Sequence, residues 1–424
     1  MRTLVFLCVL MLSLTSTATA QTIALVGARV IDGRGGVIER GTIVVRDGRI
    51  AAVGPVASTT VPAGSERIDV SGDTIMPGLV NAHGHLTSAV GMRNDPNGAS
   101  RENQLRQLVT YARYGVTTVF SLGDESDAAF QLRREQDKGP FEGARLFLAG
   151  PVISGTTADA ARAMTDKVAA MKPDLIKIRI DDNLGSSRKM PDEAWRAAIA
   201  RAKELGLPVA THIFYFADAR AALLAGSSLI AHSVRDVPVD AEFVREMKAR
   251  DACYSPTLMR EVSTFVYGST PSWARDPFFL KGAGAAAGEE ISDPARQATV
   301  QGSAAYKQGL RYKEALEVAK RNLKTLSDAG VRIAMGTDTG PPGRWQGFFE
   351  HLELEMMVES GMTPMQVLVA GTSAAAECHG RGDQFGSIRP GTSADLLVLA
   401  ANPLESIRNT RQIKSIWIAG RRID

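Results

Sequence analysis

Two histidines flank a single glycine in "NAHGHL", at His83 and His85, and the whole chain holds six histidines. Four more residues able to bind a metal or move a proton follow in order: Lys177 in "LIKIRI", His212 in "VATHIF", His232 in "LIAHS" and Asp338 in "MGTD". Each stands at or near the end of an apolar run. Imidazoles and a carboxylate together suit zinc or a similar divalent ion, which brings the pKa of a bound water to ~7 and polarises a carbonyl. The chemistry would be metal-assisted hydrolysis. Lys177 is the odd member, because an ammonium repels a cation. It fits if its neutral amine has reacted with carbon dioxide to form a carbamate, an anion able to bridge two metals. Singly, each residue also has a plainer reading: a hydrogen-bonded His pair at a loop mouth, a salt-bridged lysine, two core histidines and a helix-capping aspartate.

Such residues need strands to aim them. Side chains alternate along a strand, so His83 and His85 face the same side with Gly84 between them. Eight short runs read as buried parallel strands: "TIMPGLVNAH", "VTTVFSLG", "RLFLAGPVI", "LIKIRI", "PVATHIF", "SLIAHS", "ACYSPTL" and "RIAMGTD". Amphipathic segments lie between them, such as "DEAWRAAIARAKELG" and "FADARAALLAG", each closed by a glycine able to cap a helix. Eight such units over about 300 residues predict a (β/α)8 TIM-like barrel across residues 76–386, whose active site lies at the carboxyl ends of its strands. An open doubly wound sheet is less favoured, since no GxGxxG or P-loop follows any strand. One connection, residues 259–312, is far longer than an ordinary βα loop; it is either a lid over the site or a helical insertion burying its own aromatics, with the next helix expected near Lys313.

The two ends of the chain differ from this middle. Short alternating strands with Asp-Gly turns fill residues 21–75 and 387–424, so a small composite β-sandwich domain built from both ends is expected. Residues 1–20 have an early arginine, an apolar core and a small-residue Ala18-Thr19-Ala20 site, the pattern of a cleaved secretory signal. The expected location is secreted or periplasmic. Cys8 falls within that leader, which leaves Cys253 and Cys378; two cysteines make no disulfide framework, and since their spacing does not show that they meet, a single bridge between them stays open but is less favoured than two free thiols. A charge of +3 with 22% charged residues points to neither nucleic acid nor an acidic surface as partner, and no apolar run after the leader is long enough to span a membrane. The expected partner is a small-molecule or dipeptide-like substrate, and a homo-oligomer is compatible with everything above.

The ordered set HxH, Lys, His, His, Asp resembles that of the amidohydrolase superfamily, in the branch of imidazolonepropionase-like and Xaa-Pro-dipeptidase-like enzymes, over nearly the whole chain after the leader. That resemblance implies two divalent metal ions, zinc foremost. His83, His85 and Asp338 would hold the first, His212 and His232 the second, and a carbamate on Lys177 would bridge them. Asp338 would also take a proton from a metal-bridging hydroxide and pass it to the leaving group. The implied reaction is cleavage of an amide bond, in a dipeptide or an N-acyl amino acid; an esterase, lactonase or phosphotriesterase is the alternative on the same centre. Deaminases of the superfamily carry a Glu soon after the strand-five His and lack the lysine, whereas here "THIFYFAD" has no Glu and Lys177 is present. A binding protein that kept the fold without catalysis would have lost ligands, and all six positions are filled.

Three arginines are candidates to anchor a substrate carboxylate through paired hydrogen bonds: Arg179, one pleat beyond Lys177, Arg235 after His232 and Arg260 after the seventh strand. Arg179 could equally pair with Asp181 or Asp182 at the rim. His351 is expected to be structural or to stand behind the site, and His379 to lie at the surface.

Overall fold

The computed structural model describes residues 22–139 and 141–423; the expected leader lies outside the described residues. Both ends of the described chain meet in one eight-stranded sheet. Ile23–Ile31, Val37–Arg46 and Arg49–Pro55 form successive antiparallel pairs, and Thr74–Pro77 joins Ile23–Ile31 to Leu396–Leu399, Ile413–Ile418 and Arg421–Arg422. The second hairpin turns on Asp47 and Gly48, both at positive φ, which matches the twist of the flanking strands. Leu25, Val30, Ile43, Ile75, Leu396, Val398 and Trp417 form its buried face. The run "TIMPGLVNAH" is therefore divided: Thr74–Pro77 belongs to the end sheet, and the parallel strand begins at Leu79.

The middle contains the eight parallel strands, labelled here β1 (Leu79–Gly84), β2 (Val116–Ser121), β3 (Arg145–Leu148), β4 (Ile176–Arg179), β5 (Val209–His212), β6 (Leu229–Ala231), β7 (Cys253–Ser255) and β8 (Arg332–Ile333). Their hydrogen-bonded order is β3-β2-β1 in one sheet and β4-β5-β6-β7-β8 in the other. Isolated parallel bridges link the edges of the two sheets, Ile153 with Ile178 and Gly84 with Thr339. The mixed α/β arrangement is TIM-like. Helices α1 (Arg101–Arg113) to α6 (Ala241–Ala249) alternate with the strands; Ser100, Thr157 and Asp240 cap three of them by accepting backbone N–H groups.

Alternation along these strands explains where the polar residues go. Val80, Ala82, Phe120, Phe147, Leu175, Ala210, Leu229, Cys253 and Ala334 point one way and form a single buried cluster. Lys177 stands two residues beyond Leu175 and His212 two beyond Ala210, so both continue that row at the carboxyl end. The opposite faces pack against the helices in the large core.

Three expectations are corrected. Cys253 and Cys378 form a disulfide, with Cα atoms 5.9 Å apart, because helix α14 (Ser373–Cys378) ends beside the first residue of β7. His379 is not a surface residue: its ring stacks on Phe120 with centroids 3.7 Å apart, and its Nε2 lies 3.0 Å from the Ala82 carbonyl. The long helix after the insertion, α11 (Ala304–Asp328), begins nine residues before Lys313, capped by Ser303. The insertion itself is helical, with α7 (Leu258–Val262), α8 (Pro277–Ala283), α9 (Ala285–Ser292) and α10 (Pro294–Gly302). Its aromatics are not a private core. Trp273 and Phe279 are buried and pack on Phe348 and Phe349 of α12 (Phe348–Glu359), where a fully buried Phe contributes roughly 1.5–3 kcal/mol. His351, on the same helix, is structural: it is buried, with Nδ1 2.9 Å from Thr410 Oγ1 and Nε2 2.8 Å from the Tyr114 carbonyl.

Candidate metal centre

His83 reaches the site through an irregularity in β1. Asn81 pairs with Val119 and Gly84 with Ser121, so three steps along β1 oppose two along β2. Such a bulge re-aims the side chains after it. A Cβ on Gly84 would meet Tyr111 and Asn81, on the helix side, whereas the Cβ of His83 lies where a Cβ on Gly336 would stand, 2.6 Å away. Only glycine at 336 allows β1 and the backbone after β8 to approach this closely. A buried polar cluster fixes the two strand ends: Glu350 Oε1 accepts from Asn81 Nδ2, Thr337 Oγ1 and Thr339 Oγ1 at 2.6–2.7 Å, and Asn81 Oδ1 accepts from the backbone N–H of His83.

The six expected residues converge. Nε2 of His85 is 2.7 Å from Asp338 Oδ1 and Nε2 of His83 is 3.4 Å from the same oxygen. Ligand atoms of His83, His85 and Asp338 all lie within 4.8 Å of one another, a grouping fit for one ion. Lys177 Nζ is 3.0 Å from His83 Nε2. The His232 ring is 4.6 Å from that of His83 and 4.1 Å from that of His212, centroid to centroid.

The outer contacts choose which nitrogens face inward. His232 Nδ1 is 2.7 Å from Thr257 Oγ1, which leaves Nε2 for an ion. His212 Nε2 stands 3.1 Å from Asp181 Oδ2, which leaves Nδ1. A hydroxyl or carboxylate behind a histidine is the usual means of orienting a metal-binding imidazole. His83 Nδ1 is buried without a hydrogen-bond partner. His232, Thr257 and Asp338 all adopt positive φ, at 72°, 49° and 56°, a conformation that costs about 1–3 kcal/mol per non-glycine residue and gathers at functional sites.

Burial sets the charge states. Desolvation holds His83 and His232 well below the ordinary imidazole value and takes His212 down to about 3, so these three rings are neutral and keep a lone pair to donate. Burial pushes the Lys177 amine down to about 8, against the opposing pull of Asp338 and Glu125. Burial raises the Asp338 carboxyl, but Arg344, His83 and His85 outweigh it and leave the group well below the usual carboxylate range. Burial also lifts Glu125, beside Gly123 at the end of β2, to about 7.

The three arginines are placed differently. Arg179 is 44% exposed in its side chain and bonds Asp181 at 3.0 Å, the rim contact that was its alternative. Arg235 and Arg260 are buried on either side of Glu261, at 3.3 and 2.9 Å. Asp181, Thr257, Glu350 and Arg344 were not expected as parts of the site. Of these, Asp181 had entered only as a rim partner for Arg179, and Arg344 left a trace as a cation in the Gly/Pro-rich "TGPPGRWQG" directly after Asp338.

Comparison with known proteins points to one family. The sequence profile of the Amidohydrolase family matches residues 74–423. Imidazolonepropionase of Streptomyces avermitilis is 25% identical over 403 residues, 92% of this chain and 88% of that protein. A solved protein of Bifidobacterium longum, assigned as a prolidase, superposes with a TM-score of 0.77 at 26% identity, covering 95% of this chain and 94% of the other. An Xaa-Pro dipeptidase solved with methionine in its active site gives a TM-score of 0.72 at 22% identity, covering 95% and 98%.

Proposed function

Since the chain belongs to the amidohydrolase family and is thereby a hydrolase of C–N bonds, we propose that it is a binuclear metal-dependent enzyme cleaving the amide of a dipeptide or N-acyl amino acid. The observation that supports this most is the convergence of His83, His85, Lys177, His212, His232 and Asp338 at the carboxyl ends of β1, β4, β5, β6 and β8. The donor set fits two ions, zinc foremost. His83, His85 and Asp338 would hold one, His212 and His232 the other. Bound there, the ions would supply Lewis acidity and an activated water. The bridges at Ile153 and Gly84 support a closed (β/α)8 barrel, with the composite sheet as a separate sandwich-like domain.

Lys177 is buried, and its amine is easily neutral. A neutral amine forms an N–C bond with carbon dioxide and loses a proton, which yields the carbamate anion that a two-metal centre needs here. Asp338 Oδ1 faces both histidines of the HxH pair and is the group to take a proton and return it to the leaving nitrogen.

Arg235 and Arg260 suit a substrate carboxylate better than Arg179 does. Both are buried, and Arg235 Nη2 and Arg260 Nε lack hydrogen-bond partners, a costly state that a carboxylate would relieve. A panel of dipeptides and N-acyl amino acids, each free or amidated at the C-terminus, tests this. Free acids should be cleaved faster and Arg260→Met should remove the preference. Equal rates on both forms would reject the anchor and favour an ester, lactone or phosphotriester as substrate.

A further inference from the structure

Asp338 has two carboxylate oxygens, and only Oδ1 faces the HxH pair. Oδ2 is held by Nη1 of Arg344 in a close ion pair. A guanidinium does not give up its proton under ordinary conditions, so Arg344 is no acid or base; it can act only by its place and its charge.

Arg344 reaches Asp338 because the chain after β8 turns back on itself. Gly340 N–H donates to the Arg344 carbonyl at 3.1 Å and Arg344 N–H to the Pro341 carbonyl at 2.9 Å. The turn is tied down from two sides. From the β1 side, Thr87 Oγ1 donates to the Gly340 carbonyl, Gln346 Nε2 donates to the His85 carbonyl, and Gly343 N–H donates to the Gly91 carbonyl, at 2.7–3.0 Å. From the long insertion, Ser263 Oγ accepts from Arg344 Nε at 3.1 Å, the Tyr267 hydroxyl donates to the Gly343 carbonyl, and Trp345 Nε1 donates to Tyr267 at 2.9 Å.

We propose that Arg344 is a positioning residue for Asp338, and that the insertion between β7 and β8 serves to brace the turn that delivers it. Rotation about the last bond of an aspartate side chain is soft, with broad wells. The Arg344 contact removes that freedom. It occupies Oδ2 and leaves Oδ1 as the one oxygen turned to His83 and His85, hence as the oxygen that exchanges protons. The inference rests on the role proposed for Asp338, but its geometric half does not depend on any substrate being found.

The test joins crystal structures to kinetics for Arg344→Met, Arg344→Lys and Tyr267→Phe, with metal content measured on each. In Arg344→Met the Asp338 carboxylate should turn away from His85 or split between orientations, and kcat should fall ~10- to 100-fold, the scale of a small misplacement of a reacting group, with KM little changed. Arg344→Lys should recover part of the loss, since it keeps the charge but lacks the planar fork whose separate Nε and Nη1 meet Ser263 and Asp338. Tyr267→Phe, far from the reacting atoms, should give a smaller fall in kcat and a shifted turn. An unmoved Asp338 in Arg344→Met overturns the proposal whether or not kcat falls, because Arg344 would then act on substrate directly or not at all. If the wild-type protein cleaves no amide, the proposed function fails while the structures still decide the orientation of Asp338.

Discussion

Lys177 and Asp338 carry the sharpest demands on the chemistry. Lys177 is enclosed beside His83, and its amine is lowered by burial to about 8, within reach of neutrality near physiological pH. Lys177→Ala should lose most activity together with the metal bridged by that position, and a short carboxylic acid added to the variant should restore part of it by standing in for the carbamate. An unmodified Lys177 in a fully active protein, read by mass spectrometry or crystallography, would remove this step. Asp338→Asn keeps the volume and one oxygen of the side chain but cannot accept the proton. Its turnover should drop by ~10² or more with the fold retained, as for loss of general acid–base catalysis. Near-normal turnover would assign the proton to another group.

Among the elements, the parallel strands were legible because a strand buried on both faces reads as an apolar run; seven of the eight lie within the predicted segments, and β1 runs one residue past its own. Their polar ends were legible for the same reason, since Lys177 and His212 follow the row of Leu175 and Ala210 by alternation. The bulge in β1 was not, because a one-residue irregularity leaves no compositional mark and is defined only by its partner strand. Nor was the Cys253–Cys378 disulfide, whose partners are 125 residues apart and meet only because α14 ends beside β7. That bridge also supports an oxidising, extracytoplasmic location, which we propose for the protein. Reductant should lower the stability of the wild type by roughly 2–4 kcal/mol in denaturant titrations, and the Cys253→Ala/Cys378→Ala double variant should show that lower stability with no response to reductant. Two thiols freely labelled in the folded protein purified from its native compartment would contradict both the bridge and the location.

At the scale of the molecule, a sheet from both ends of the chain adjoins the start of β1, and the helical insertion meets the carboxyl ends of the parallel strands at the turn beside Asp338. The insertion shows why lid and decoration were poor alternatives in the sequence: its aromatics are spent on α12, and its polar groups, Ser263 and Tyr267, on the turn beside Asp338. Among the described residues no helix is long and apolar enough to cross a membrane. Metal dependence underlies every role assigned to these residues, and it is open to one direct measurement. Elemental analysis of the purified protein, run beside amide hydrolysis before and after chelation, should find ~2 divalent ions per chain, activity abolished by the chelator, and activity restored when zinc is returned. A folded protein that cleaves its amide at full rate with no bound metal would contradict the central claim.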